Sequence, residues 1–496
     1  MKPLPRVRAT VCLAVVAGFF LFRGLAEADL EYWVVDLGTL GGAGSEALGL
    51  NDRSQVVGWA KDVNGRTQAF LWEHGTLTGL GFLTNRWSNS VATAINNLGE
   101  IAGYSSITAT NEHAFLVHSN LMTDIGTLGG ANSRGFDIND LGEIAGRADR
   151  PSNTIPQAFL WRTNHMIWIP TYLYENTNQY PTALHECEAR GISMKSQVCG
   201  FTFYQPADAY GEDWGFVWSD LNTNGTDEYY EMKVLGNMGT SNTWGSSSGA
   251  FGMNDIDQAV GWTYVSSVRS PYHAFRVTSS NGIWKIPQPE PNGAATSTNS
   301  LMIDLGTLAG TNGNSYANAI NNHSWIVGLS SSSSGTNQAF LWREGVMTNL
   351  NDLIPPGSGW VLTNATAIND HGEIAGSGRY LGQPRAFLLQ QDGRIIRLAP
   401  LRETNTWVYT NELREVVTQT TVTVTSHEVQ WTGVWDGNPY TSHVFTVEAC
   451  DTLRPPAAWT PVAPTSQWPI LDNFWTDTNY PAASTRFFRV RAELPP

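Results

Sequence analysis

The chain has 496 residues, a formal net charge of −15 at pH 7 and only 15% charged residues. That length exceeds one ordinary compact core and suits a repeat array with an appended module. The acidic balance, with no basic stripe to displace phosphate counterions, argues against nucleic acid and anionic membranes as partners. It leaves cations and neutral glycans open, or reflects solubility alone.

Lys2, Arg6 and Arg8 precede an apolar run from Ala9 to Phe22, and Ala26-Glu27-Ala28 has small-x-small form. This predicts a secretory signal over residues 1–28, cleaved after Ala28. The run is short for a bilayer span, and no later stretch approaches ~18 consecutive apolar residues, so no transmembrane segment is expected. Cys12 lacks the small-residue context of a lipoprotein cleavage site. Cleavage leaves 468 residues with a net charge of about −18. The expected location is secreted, extracellular or at the cell surface, with the periplasm as an alternative, and the expected state is a monomer.

Cys187, Cys199 and Cys450 remain in the processed chain. Export permits a Cys187–Cys199 disulfide. A turn near Ser193 to Ser196 would, however, set Cys199 opposite about residue 190 and leave Cys187 roughly 10 Å off register. Both states stay open.

One signature recurs seven times: Gln68-Ala69-Phe70-Leu71-Trp72, then His113 to Val117, Gln157 to Trp161, Trp214 to Trp218, His273 to Val277, Gln338 to Trp342 and Arg385 to Leu389. A second precedes each copy, clearest in Asn139-Asp140-Leu141-Gly142-Glu143-Ile144-Ala145-Gly146 and in Asn96 to Gly103 and Asn369 to Gly376, with weaker forms from Asn51, Ser193, Asn254 and Asn321. A third, Asp36-Leu37-Gly38-Thr39-Leu40-Gly41-Gly42, returns at Asp124 to Gly130 and Asp304 to Gly310. Each unit thus reads as four short strands separated by Asn, Asp and Gly turns. No segment shows sustained helical periodicity.

Units of this length and strand number predict an all-β chain built on a seven-bladed β-propeller of four-stranded blades, because radial closure covers the apolar faces and strand edges. Glu31 to Leu37 copies the last strand of a unit before any complete unit has occurred, an offset that would latch the ring. Arg394 to Leu398 competes for that place.

These motifs resemble the HAF-repeat family of exported bacterial proteins, named for the His-Ala-Phe seen at His113 to Phe115 and His273 to Phe275. The resemblance covers residues 31 to about 398. It implies an extracellular or surface location and a propeller, and it carries no established activity or catalytic residues. The fourth unit departs most, with Trp214-Gly215-Phe216 in the signature place and Ser193 where Asn is usual, so an irregular blade is expected there.

From Val416 the repeat is gone, yet alternating runs such as Thr421 to Thr425, Val444 to Glu448 and Arg486 to Arg491 indicate more strands. Phe445 to Cys450, Trp459 to Val462 and Phe487 to Arg491 resemble a small fibronectin-type sandwich. The expected organisation is a signal over 1–28, repeats over 29–398, a linker over 399–415 and a C-terminal β-module over 416–496, the last an adaptor or spacer.

One segment bears metal-ligand spacing. Asp220, Asn222, Asn224, Thr226 and Glu231 satisfy D-x-[DN]-x-[DN]-G-x5-E, with Gly225 at the sharp turn, and predict a Ca²⁺ loop set between strands. A polar Asn-Gly hairpin that needs no metal satisfies the same residues. The repeated Asn-Asp-x-Gly-Glu is read as turn chemistry, since two acids across a tight turn cannot supply the six or more oxygens Ca²⁺ takes. His113 and His273 share their position with Gln68, Gln157, Gln338 and Arg385, an exchange that suits a side-chain donor and not a catalytic base. No catalytic motif is found and no catalytic residue is assigned.

Twenty tryptophans are many for this length. Trp72, Trp161, Trp218 and Trp342 recur at one place in the unit and are expected in the core. Trp87, Trp168, Trp244, Trp284, Trp325 and Trp360 fall outside that register and are the candidates for an exposed aromatic surface. The functional expectation is a non-catalytic binding or structural protein whose ligand is an extracellular glycan or protein. The alternative is a glycosidase or lyase acting on extracellular polysaccharide.

Overall fold

The computed structural model describes residues 32–84, 86–151, 155–170, 186–204, 212–220, 232–238, 247–265, 271–279 and 301–391, together with the backbone of strands between 396 and 493. Two compact units divide the chain, one spanning Val34–Gln390 and the other containing Gln391–Pro496.

The repeats fold into seven four-stranded antiparallel sheets, and the unit is a seven-bladed β-propeller. Its innermost strands are Gly41–Leu50, Ser90–Ile95, Ser133–Ile138, Cys187–Ile192, Ser248–Met253, Ser315–Ile320 and Trp360–Ile368. Each packs beside the next, and the seventh packs beside the first, which closes the ring. Six blades take their strands in chain order, whereas the seventh is completed on its outer edge by Tyr32–Asp36. The N-terminal strand is therefore the latch. Residues 396–398 lie instead in the strand Ile396–Thr410, which pairs with Val416–Trp431. The fourth unit, expected to be irregular, forms a four-stranded sheet like the others, with a short outer strand Met232–Val234.

Two signatures explain each other through one contact. The Phe of every Ala-Phe-Leu-Trp copy (Phe70, Phe115, Phe159, Phe216, Phe275, Phe340, Phe387) is fully buried. Each lies opposite a glycine of the neighbouring strand, in order Gly58, Gly103, Gly146, Gly200, Gly261, Gly328 and Gly376. A Cβ at Gly103 would stand 2.6 Å from Phe115 Cζ and would also meet the Val91 carbonyl oxygen. The glycine that ends each Ile-x-Gly run is thus required by close packing.

A buried serine joins neighbouring blades. Ser90 Oγ accepts from Ala69 N at 2.9 Å and donates to Gly81 O at 2.6 Å. Ser315 does the same with Ala274 N and Gly306 O, at 2.8 and 2.7 Å. Across the closure, Ser45 Oγ accepts from Ala386 N at 3.0 Å and donates to Gly38 O at 2.6 Å. The turn after each inner strand holds its fourth residue at positive φ, 75° at Gly142 and 56° at Ser54, so Gly suits it and other residues accept some strain.

The other unit carries two three-stranded antiparallel sheets. One orders its strands Ile396–Thr410, Val416–Trp431, Phe474–Asp477, and the other Thr460–Pro461, Val444–Cys450, Phe487–Glu493. Among the described residues no helix is long and apolar enough to cross a membrane.

Candidate functional site

Every inner strand shifts register against its partner at one equivalent place, and Gly41–Leu50 and Trp360–Ile368 shift a second time nearer their starts. The interruptions fall between Ala47 and Gly49, Ala92 and Ala94, Gly135 and Asp137, Ala189 and Gly191, Ala250 and Gly252, Ala317 and Ala319, and Ala365 and Ala367. A bulge leaves its extra residue outside the ladder and re-aims that side chain. The extra residues are Leu48, Thr93, Phe136, Arg190, Phe251, Asn318 and Thr366, and all seven line a central cavity of about 320 Å³. Flanking positions are Ala, Gly or Asp137, so the scaffold stays small while one side chain per blade varies.

The ring they form is two-sided. Thr93 and Thr366 turn their hydroxyls back to the carbonyls of Gly135 and Ala47, at 3.0 and 2.9 Å. On the other side Arg190 lies between Phe136 and Phe251, its guanidinium 4.1 and 6.0 Å from their ring centroids and 5.7 Å from Phe201. Glu188, almost fully buried, forms ion pairs with both Arg190 and Arg147. Burial lowers the Arg190 pKa, while the Glu188 carboxylate acts to raise it. Arg134 stacks 4.5 Å from the Tyr104 ring and pairs with Glu112. Asp213 is pushed up by burial, with Glu186 and Glu188 adding to the rise.

Half-buried aromatic rings continue from Phe251 over the fifth blade and onto the sixth. Phe251 stacks on Tyr316 at 6.5 Å and 15°, Tyr316 lies 4.5 Å from Tyr272, and Trp262 meets Tyr264, Tyr272 and Tyr316 at 5.6 to 6.0 Å. Aromatic faces beside guanidinium and carboxylate groups can take the apolar face of a sugar ring and bond its hydroxyls.

The opposite end of the cavity is bounded by two polar rings. In the first, an Asn side-chain amide donates to the carbonyl of the equivalent residue in the next blade: Asn51 to Asn96, Asn96 to Asn139, Asn139 to Ser193, Asn254 to Asn321, Asn321 to Asn369 and Asn369 to Asn51, at 2.9 to 3.1 Å. Ser193 has no amide to offer, so this ring is interrupted between the fourth and fifth blades. The second ring uses the following residue. Asp52 N donates to Asn97, Asn97 N to Asp140, Met194 N to Asp255, Asp255 N to Asn322, Asn322 N to Asp370 and Asp370 N to Asp52, each to a side-chain oxygen at 2.6 to 3.0 Å. The repeated Asn-Asp therefore joins blade to blade. Its glutamates serve the same end, as Glu143 and Glu373 hold the Asn139 and Asn369 amides at 2.8 and 2.7 Å and accept from the Ser196 and Ser54 hydroxyls of the next blades at 2.6 and 2.7 Å.

His113 Nδ1 lies 2.7 Å from Asp124, and His273 Nδ1 lies 2.9 Å from Asp304. The histidine of the signature is thus the partner of the Asp that opens Asp-x-Gly-Thr-Leu, and each partnership helps hold that carboxyl below its usual range. Trp72, Trp161, Trp218 and Trp342 are buried as expected. Among the described residues none of the candidate tryptophans outside the repeat register is fully exposed. Trp87, Trp168, Trp325 and Trp360 are half-buried. Arg150 covers Trp168 at 4.0 Å, Arg343 lies 5.4 Å from Trp325, and Tyr380 stacks on Trp360 at 5.2 Å. Trp244 and Trp284 lie outside the described residues. Cys187 and Cys199 are free thiols, opposite Thr202 and Gly191 respectively, and burial pushes the Cys187 thiol up to about 12 and that of Cys199 higher still.

Of the predicted Ca²⁺ loop only Asp220 is described; Asn222, Asn224, Thr226 and Glu231 lie outside the described residues. Asp220 Oδ2 pairs with Arg162, whereas its buried Oδ1 accepts no hydrogen bond among the described residues. That free oxygen fits a cation ligand, and the guanidinium beside it opposes one.

No protein-family profile matches the chain. No curated relative matches it either. Among solved structures, TolB from Acinetobacter baumannii is similar with a TM-score of 0.28 at 9% identity over 53% of this chain and 68% of that one. A puromycin-hydrolyzing peptidase from Mycobacterium tuberculosis gives 0.39 at 9% identity, covering 82% of this chain and 59% of that one. Dipeptidyl peptidase 4 from Porphyromonas gingivalis gives 0.36 at 10% identity, covering 87% and 61%. The chain thus spans less than two thirds of either peptidase. Likenesses this remote carry no functional argument, and the fold stands on the seven sheets themselves.

Proposed function

We propose that this chain is an exported, non-catalytic glycan-binding protein of the HAF-repeat kind, acting outside the cell or at its surface, whose ligand seats on the bulge ring and the aromatic rings beside it. The observation that carries the reading is the set of seven in-register bulges. They present one variable side chain per blade to a common cavity, between flanking positions that are Ala, Gly or Asp137. A C-terminal fibronectin-like module would serve as adaptor, and the 220–231 segment would bind Ca²⁺ for stability.

The test is a glycan and cell-wall array on the processed protein, followed by calorimetric titration of the best hit. Phe251→Ala and Arg190→Ala should each weaken binding at least tenfold. Retention of full affinity in both variants would move the ligand elsewhere.

A polysaccharide-cleaving enzyme is the second reading, favoured by the raised Asp213 carboxyl beside Glu186 and Glu188. Release of reducing ends from a polysaccharide panel, abolished in Asp213→Asn, would establish it in place of simple binding.

A further inference from the structure

The end of the propeller bounded by the two polar rings presents a second surface. Seven turns project there, one per blade, and their tips are Arg53, Leu98, Leu141, Lys195, Ile256, His323 and His371 in order around the axis, all exposed. Leu98, Leu141 and Ile256 are 61%, 60% and 50% exposed, and Met194 beside Lys195 is 38% exposed. These four occupy consecutive blades. A single exposed aliphatic needs no explanation, but an unbroken arc over four of seven blades marks an interaction surface.

The arc is rigid. Gly99 N, Gly142 N and Ser196 N donate to the carbonyls of Asn96, Asn139 and Ser193 at 3.0 to 3.1 Å, and in the fifth blade Asn254 N donates to the Gln258 carbonyl at 3.0 Å, so each tip sits on a closed turn. Inside the arc lie Asp52, Asp140, Asp255 and Asp370. Each carboxylate is fixed by donors that carry no charge: Asn97 Nδ2 reaches Asp52 at 2.9 Å and Asp140 at 3.2 Å, and Asn322 Nδ2 reaches Asp255 at 3.3 Å and Asp370 at 2.9 Å. Among the described residues none of the four forms an ion pair, and the nearby Lys195 is engaged by Asp257 at 2.7 Å. Four preoriented carboxylates without counter-ions are complementary to a cation that comes from outside.

We propose that this face docks a protein partner through a lysine or arginine side chain flanked by apolar residues. The cationic head enters the ring of carboxylates, and the apolar neighbours cover Leu98, Leu141, Met194 and Ile256. A lone metal ion would leave the arc uncovered, and a sugar would gain little from four aliphatic tips. The surface lies at the opposite end of the central cavity from the bulge ring and uses none of the bulge residues.

The experiment uses the processed chain and labelled nine-residue peptides read by fluorescence anisotropy: lysine-centred with leucine flanks, lysine-centred with serine flanks, and glutamate-centred with leucine flanks. Only the first should bind, with affinity falling as salt rises. Asp140→Asn/Asp255→Asn and, independently, Leu98→Ser/Leu141→Ser should each weaken it at least tenfold without lowering the melting temperature by more than a few degrees. Equal binding of all three peptides, no binding at millimolar peptide, or undiminished affinity in the leucine double variant would overturn the proposal. A dimer in sedimentation velocity that Leu98→Ser/Leu141→Ser dissociates would overturn it too, replacing the foreign partner with a second copy.

Discussion

The side-chain amide of Asn369 donates to the backbone carbonyl of Asn51 at 3.1 Å, joining residues 318 positions apart in the chain and closing the asparagine ring across the last and first blades. The same amide reaches Glu373 at 2.7 Å, and Asn369 Oδ1 accepts from Glu373 N at 2.9 Å. Asn369→Ala strands buried polar partners on both sides, so it should cost about 2–3 kcal/mol in denaturant unfolding. The converse test lies at the interrupted joint. Ser193→Asn supplies the missing amide towards the Asn254 carbonyl and should stabilise by about 1 kcal/mol. A loss of stability in that variant would mean that the fourth blade cannot place an amide there.

Gly103 tests the packing that links two of the sequence signatures. An alanine Cβ would meet both the Phe115 ring and the Val91 carbonyl, and the carbonyl belongs to a paired strand that cannot yield. Gly103→Ala is expected to destabilise by about 3 kcal/mol or more, as overpacking against backbone does. Gly215→Ala is the control, since alanine occupies that place in the other six signatures and the added Cβ would stand 3.2 Å from Ser248 Oγ. Its effect should stay within about 1 kcal/mol.

The blades were legible in the sequence because the same turn and strand letters recur in all seven units. The latch was not. Glu31 to Leu37 and Arg394 to Leu398 are similar short apolar runs, and only pairing distinguishes them: the strand Tyr32–Asp36 joins the sheet of Gln383–Gln391, while 396–398 pairs with 429–431. The bulge ring was missed because a bulge changes register and not composition. Its trace was nevertheless present, in the position three before each Asn or Ser193, which reads Leu48, Thr93, Phe136, Arg190, Phe251, Asn318 and Thr366 inside otherwise repeated letters. Tryptophans outside the repeat register failed as candidates for an exposed surface because register does not reveal what covers a side chain, such as Arg150 over Trp168.

Asp137 stands on the channel wall where the other blades place Gly or Ala, and burial pushes its carboxyl from 3.8 to about 7 even though the Ile192 and Ile138 N–H groups donate to it. The folded form therefore keeps a proton that the unfolded chain loses between those values. Stability from this group falls as pH rises through that window and is level above about pH 7. Asp137→Asn removes the titration, and its advantage over the wild type should grow from pH 4 to pH 7 to about 2 kcal/mol. That is below the ~4 of the full shift because Asp137 is only partly buried and solvent screens the carboxyl. Melting curves at pH 4.5, 6 and 8 give the comparison, and a constant difference would remove the assigned titration.

Asp220 supports the sharpest distinction between a calcium loop and a decorated hairpin, because its two carboxylate oxygens have different fates. Oδ2 is held by Arg162, while Oδ1 is buried and free of hydrogen bonds among the described residues. If the segment chelates Ca²⁺ through Asp220, Asn222, Asn224, Thr226 and Glu231, the guanidinium is a fixed like charge beside the metal and weakens binding. Arg162→Gln should then increase Ca²⁺ affinity several-fold, and Asp220→Ala should abolish the rise in melting temperature that Ca²⁺ causes by binding only the folded form. If Asp220 is only an ion-pair partner, the outcome reverses. Millimolar Ca²⁺ would then leave the melting temperature unchanged, and either substitution would destabilise by breaking a buried pair. Calorimetric titration of the three proteins decides between these outcomes through the sign of the Arg162→Gln effect, which unfolding of a damaged variant cannot mimic.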